Sequence, residues 1–292
     1  MTKRKKKKIG LVAAKDAGLI HHGPMATSDA TATPDIARAI KQINNLLRLM
    51  PAEAINVSSS GSLESRELHN WDVVAPAILC SAANCMLSLR LLAETPVPCR
   101  EQDAGMLLRR VYEHLVLFAW IAINPEANAK RWVADDYKYR ILIHDELKCE
   151  LLDDTTYKAF VDYKTRNKPM PNLLVRATEA DAYWLPQLSD KTPSLVSLYT
   201  TIYRATSANV HPTPRSLFAY VNPGGATGNF AIGLNTRSPV MNQSAYVCAP
   251  AAFAMMLLVA EKVLKFPSAA QVYKAYAIDP ITDPEATPKK EG

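Results

Sequence analysis

The sequence predicts an all-α fold, a helical bundle with a small β-hairpin inserted after the penultimate long helix. Three observations point there. The chain holds 10 Gly against 20 Pro with long Ala and Leu runs, which favours helices punctuated by prolines. Apolar residues recur at spacings of three and four in segment after segment. One stretch, "SLFAYVNPGGATGNFAIGL" (216–234), instead alternates with the period of a strand around a turn rich in Gly and Asn.

The elements follow in order. Residues 1–30 open with "KRKKKK" and continue rich in Ser, Thr, Ala and His without periodicity, so they are expected to be a disordered basic tail. "TPDIARAIKQINNLLRLM" starts a helix: Thr33 can cap, Pro34 suits the first helical position, and Asp35 suits the positive end of the dipole. Ile36, Ile40, Ile43, Leu47 and Met50 then form one stripe. After a flexible "SSSGS" link, a helix is expected from Trp71 to Glu94, kinked at Pro76 and stopped by "TPVP". "EQDAGMLLRRVYEHLVLFAWIAI" (101–123) is the most apolar long helix and the expected centre of the bundle. Asn124-Pro125 starts a long mixed-charge helix. Residues 155–192 read as less regular, a short helix plus a loop around "KPMPN". Thr192-Pro193 opens "SLVSLYTTIYRATSANV", and a final helix runs from about Val240 to Lys265. The expectation is a single helical domain over 31–267, with 268–292 a flexible C-terminal tail.

Charge narrows the partners. The formal net charge of +6 comes from the six cations at 3–8, and the remainder balances. A like-charge block of this kind attracts polyanions by counterion release, RNA among them. Five cysteines with no C-x-x-C pair fit reduced thiols rather than a disulfide framework. "IGLVAA" after the lysines is short of a secretion signal, and "AYVCAPAAFAMMLLVA" (245–260) is short of a membrane span and contains Pro250. A cytoplasmic protein with no membrane partner is expected.

Common motifs are missing. There is no G-x-x-x-x-G-K-[ST], no G-x-S-x-G and no H-E-x-x-H. "GGATG" (224–228) leads into a strand rather than the helix end a phosphate loop needs. "HDE" (144–146) offers metal-ligand types, but adjacent helical positions point in different directions. No metal and no cofactor are expected.

What remains is "YRATSANVHPTP" (203–214). Arg204 and His211 lie seven apart, two turns along one face if the helix lasts. Pro212 disfavours helix at His211 and puts the imidazole on the bend, near the negative helix end. There it can pass a proton at neutral pH while the Arg204 guanidinium grips a phosphate in a fork. Ser207 and Asn209 could donate to the phosphate or orient the imidazole. Such a spacing arises by chance about once in a chain of this composition, and Arg109 with His114 also satisfies it. Arg109 and Glu113 add context, being four apart on the most apolar helix. They form either an edge pair, or a polar pocket in which Glu113 anchors Arg109 or a cation from another helix such as Arg204.

The Arg-x₃-Glu on an apolar helix, the following "RWVADDYKYR" and the "S-x-x-V-H-P-x-P" exit together resemble an uncharacterised bacterial all-helical family. That family is associated with the HEPN (higher eukaryotes and prokaryotes nucleotide-binding) superfamily, and the resemblance spans roughly 70–265. It implies a helical bundle, a homodimer, and metal-independent endoribonuclease activity through an Arg-x₄₋₆-His motif at the dimer interface, here Arg204 and His211. It further implies a toxin or phage-defence (abortive infection) effector, with RNA as substrate and an antitoxin or defence-system partner. Active members often carry a polar residue after the Arg, where this chain has Ala205, and the hairpin lies outside the minimal bundle. Inactive relatives serve as binding modules. The alternative is therefore a non-catalytic helical interaction or ligand-binding module, such as a partner to a separately encoded nucleotidyltransferase.

Overall fold

In a computed structural model, the described residues are 34–50, 71–94, 100–147, 152–189, 192–204, 206–207, 221–223, 230–232 and 239–277. They form an all-α bundle. In chain order the long elements are α1 (Pro34–Leu47), α2 (Trp71–Glu94), α3 (Arg100–Ile123) and α4 (Pro125–Leu147). Then come α5 (Asp154–Arg166), α6 (Leu173–Trp184) with a 3₁₀ turn at Leu185–Gln187, and α7 (Leu195–Leu198) running into a π-helical segment, Tyr199–Arg204. The chain closes with α8 (Pro239–Leu264) and α9 (Ala269–Ala277).

The expected centre is the centre. From Val111 to Ala122 on α3, residues on every side of the helix are buried, including Tyr112, Phe118 and Trp120. A helix apolar all round needs neighbours all round, and α2, α6 and α8 supply them. In α8 the run from Ala252 to Ala260 is buried without a break, which explains its composition. By length and composition alone Trp71–Glu94 and Ala245–Leu264 could each cross a membrane; here both are walls of the core. Each large side chain so buried contributes about 1.5–3 kcal/mol. α1 buries Ile36, Ala39, Ile43 and Leu46 against α8, α9 and α2.

Two expectations need correction. Residues 155–192 are more regular than their sequence suggests. Asp153 caps α5 by accepting from the Thr155 and Thr156 amides, Asn172 caps α6 through the Val175 amide, and "KPMPN" is the short link between them. Local caps closed two helices where the mixed composition hid the period. α5 packs on α4 over a second small core, with the Tyr137 and Phe160 rings stacked 3.9 Å apart. The folded body also extends past 267. Lys265 takes a left-handed φ of 59° and ends α8, and the chain resumes as α9, burying Val272 and Ala275 against α1 and α8. Gln42 donates to the Tyr276 carbonyl at 2.8 Å. A nine-residue helix with only two buried positions has too weak a pattern to read without its partner.

Of the 216–234 stretch, 221–223 and 230–232 are described, and these pair antiparallel with Val221 opposite Ile232. The rest of it, and the N-terminal 1–33, lie outside the described residues.

Candidate functional site

The expected pair lies on and after the π-helical segment. Arg204 is its last residue, exposed, with its guanidinium 6.0 Å from the centre of the Tyr199 ring. Among the described residues no carboxylate comes within ion-pair distance of it. His211 and Asn209 lie outside the described residues. Ser207 is half-buried and donates its hydroxyl proton to the Tyr203 carbonyl at 2.6 Å. Its lone pairs, not its proton, are what remain for a ligand. π segments inside helices occur often at functional sites.

Arg109 and Glu113 do meet. Arg109 Nε donates to Glu113 Oε1 at 2.9 Å, and the two side chains keep only 14% and 28% of their exposure. This is the pocket reading rather than the exposed edge pair, and the helix that closes it is the one carrying Arg204. Arg109 Nη2 donates to the Tyr203 hydroxyl at 2.8 Å, and its guanidinium lies 4.2 Å from the Tyr203 ring centre. Tyr203 in turn stacks on Tyr199 at 4.9 Å. Glu113 thus anchors Arg109, Arg109 anchors Tyr203, and Tyr203 is the residue before Arg204. Arg109 and Glu113 hold the element that presents Arg204.

A third guanidinium was not foreseen. Burial pushes Arg176, on α6, below the ordinary arginine value, while the carboxylates of Asp135 and Glu113 pull it back up. Arg176 Nε and Arg109 Nη1 are both enclosed without an acceptor, so the pocket is short of negative charge. Nothing in "LLVRATEADAYW" marks Arg176, because its relation to Glu113 depends on how α6 packs on α3. Beneath, Tyr112 donates to the Leu195 carbonyl at 2.8 Å, and burial beside Asp181 lifts its phenol well above the usual range. Asp181, buried, accepts from the Leu195 and Val196 amides and the Ser194 hydroxyl. It fixes the start of α7 from another helix.

His114, the chance partner of Arg109, bonds through Nδ1 to the Arg110 carbonyl one turn back. The "HDE" residues do not converge. Asp145 accepts from Tyr157 at 3.0 Å, His144 lies beside the Tyr157 ring, and Glu146 is exposed. Among the described residues no three His, Cys, Asp or Glu side chains gather as a metal site.

A model of a family of unknown function, DUF5677, matches residues 73–228. That range is more than half the chain and includes Arg109, Glu113, Arg176, Tyr203, Arg204 and His211. No curated protein and no solved structure matches the chain.

Proposed function

The chain belongs to this family of unknown function, and we propose from its own residues that it is a metal-independent endoribonuclease of HEPN type, with Arg204 and His211 as its catalytic residues. The observation that carries the reading is Arg204. It is a guanidinium left exposed and unclaimed by any described carboxylate, while its neighbour Arg109 is held fast by Glu113 and Tyr203. The surrounding sequence supports it. From 191 to 238 there are Lys191, Arg204, Arg215, Arg237 and His211 but no Asp or Glu, where the overall frequency of 28 in 292 would give about five. A segment without carboxylates suits a phosphodiester.

In this mechanism a ribose 2′-hydroxyl attacks the adjacent phosphorus, and the bond to the 5′-oxygen breaks. The products are a 2′,3′-cyclic phosphate and a 5′-hydroxyl. His211 takes the proton from the 2′-hydroxyl or gives one to the departing 5′-oxygen, and water makes the other transfer. Arg204 holds the non-bridging oxygens and stabilises the charge that builds on them. Asn209 assists at the phosphate, and Ser207, whose proton goes to the Tyr203 carbonyl, orients the imidazole by accepting from it. Arg109 and Glu113 are positioning residues. The protein acts in the cytoplasm as a homodimer, in toxin or phage-defence systems, with an antitoxin or defence-system partner and the basic tail recruiting RNA.

The test is incubation of the purified protein with total RNA in EDTA beside Arg204→Ala and His211→Ala. Cleavage by the parent alone, with all three proteins folded, is expected. Equal cleavage by all three, or none by the parent across pH and salt, sinks the proposal. One observation favours the second reading, a non-catalytic interaction module: Arg109, Glu113, Tyr203 and Ser207 are bonded among themselves. That reading predicts that Arg204→Ala and His211→Ala lower the melting temperature and change nothing else.

A further inference from the structure

Away from Arg204, a cleft of about 480 Å³ opens where the first turns of α4 face the link between α5 and α6. Four of its lining side chains are cations, Lys130, Arg131, Arg166 and Lys168, against a single carboxylate, Glu126. Glu126 holds Lys130 at 2.6 Å. Arg166 reaches Asp162 at 3.4 Å, but both side chains are about three-quarters exposed, so that pair is screened and weak. Arg131 and Lys168 meet no carboxylate among the described residues.

Arg131 is the most informative of the four. Its guanidinium lies 5.1 Å from the Trp120 ring centre and donates through Nη2 to the Pro169 carbonyl at 3.3 Å. Its Nε is enclosed without an acceptor. Enclosed donors in native proteins find acceptors, and the side chain that carries this one lines the cleft. The positive end of the α4 dipole opens on the same cavity, where the Asn124 side chain accepts from the Ala127 amide. A preorganised guanidinium, two exposed cations and a helix start therefore surround one concave space.

We propose that this cleft is a phosphate-ester binding site, distinct from Arg204. Fork-shaped guanidinium groups match an oxyanion with two free oxygens better than a single-point acceptor. Trp120 is fully buried, so no aromatic face is offered to a base. Recognition is through charge and is insensitive to base identity. Two sources share this chemistry, a free nucleotide and the backbone of an RNA strand. The inference does not rest on the cleavage reading.

The experiment is calorimetric titration of the full chain with inorganic phosphate, with UMP, and with a 2′-O-methyl uridine decamer that cannot be cleaved. The parent is compared with Arg166→Glu/Lys168→Glu and with Arg131→Gln. The double variant alters only exposed side chains, so its melting temperature is expected to stay put. Its affinity for UMP or the decamer is expected to fall about tenfold or more, and Arg131→Gln should act in the same direction. A loss for both probes marks a phosphate site open to either source, and a loss for the decamer alone marks a backbone contact. The tail and Arg204 are common to all the proteins, so only the difference reports the cleft. No saturable binding by the parent, or equal affinity in parent and double variant, overturns the proposal. Because no cleavage is measured, a failure of the nuclease reading leaves this result intact.

Discussion

Glu113 carries more than its share at the level of single residues. Among the described residues it is the carboxylate bonded to Arg109, and its charge also supports Arg176. Glu113→Gln should therefore cost about 1–3 kcal/mol, because a half-buried charge-assisted bond is lost and Arg109 is left without its counter-charge. Denaturant midpoints measure this, and a loss within experimental error would show the pair to be ornamental. His114 makes a pH prediction. Burial lowers its pKa from the ordinary 6.5, outweighing the Arg110 carbonyl that pulls it up. The unfolded chain then binds the proton more readily than the folded one, so stability is full above about 6.5 and drains as pH falls toward the depressed folded value. His114→Gln should flatten the slope of the melting temperature between about pH 7 and 5.5; an unchanged slope would assign it to other groups.

At the scale of elements, α7 is the most exposed to failure. It has four α-helical residues before it widens into the π segment, too few to hold themselves. Its start is fixed by the Ser194 cap and by three bonds to Asp181 on α6. Asp181→Ala should cost about 2–4 kcal/mol, since it strands two amides and a hydroxyl in a buried corner. It should also lower any RNA cleavage more than Ser194→Ala, because α7 aims the segment that ends at Arg204. Thermal melts together with a cleavage assay check both halves.

The whole molecule depends on a closure the chain makes late. α9 folds back on α1, the first described helix, through Val272 and the Gln42–Tyr276 bond. Val272→Ala should cost about 2 kcal/mol, while Tyr273→Ala, at an exposed position, should stay within about 0.5 kcal/mol. Were the region a loose tail, neither substitution would register. Charge also acts at this scale. On the proposed RNA reading, the six cations at 3–8, the carboxylate-free 191–238 segment and the basic cleft predict an affinity that falls about a hundredfold or more between 50 and 200 mM salt. Binding isotherms at fixed temperature test that slope.

By itself the sequence determined the long helices of the core. Their period, the Pro and Gly stops, and the apolar runs at 115–123 and 245–260 are local properties, because a helix bonds each residue to one four places away. It also exposed Arg109 and Glu113 as a pair, since i and i+4 share a face. Tertiary structure alone decided that Arg109 meets Tyr203, 94 residues on, that Arg176 sits near Glu113, and that Asp181 starts a helix it does not belong to. Those choices depend on how ridges of side chains set the angles between packed helices. No single segment carries that information, which is why α9 looked like a tail and why nothing in its own helix marked Arg176.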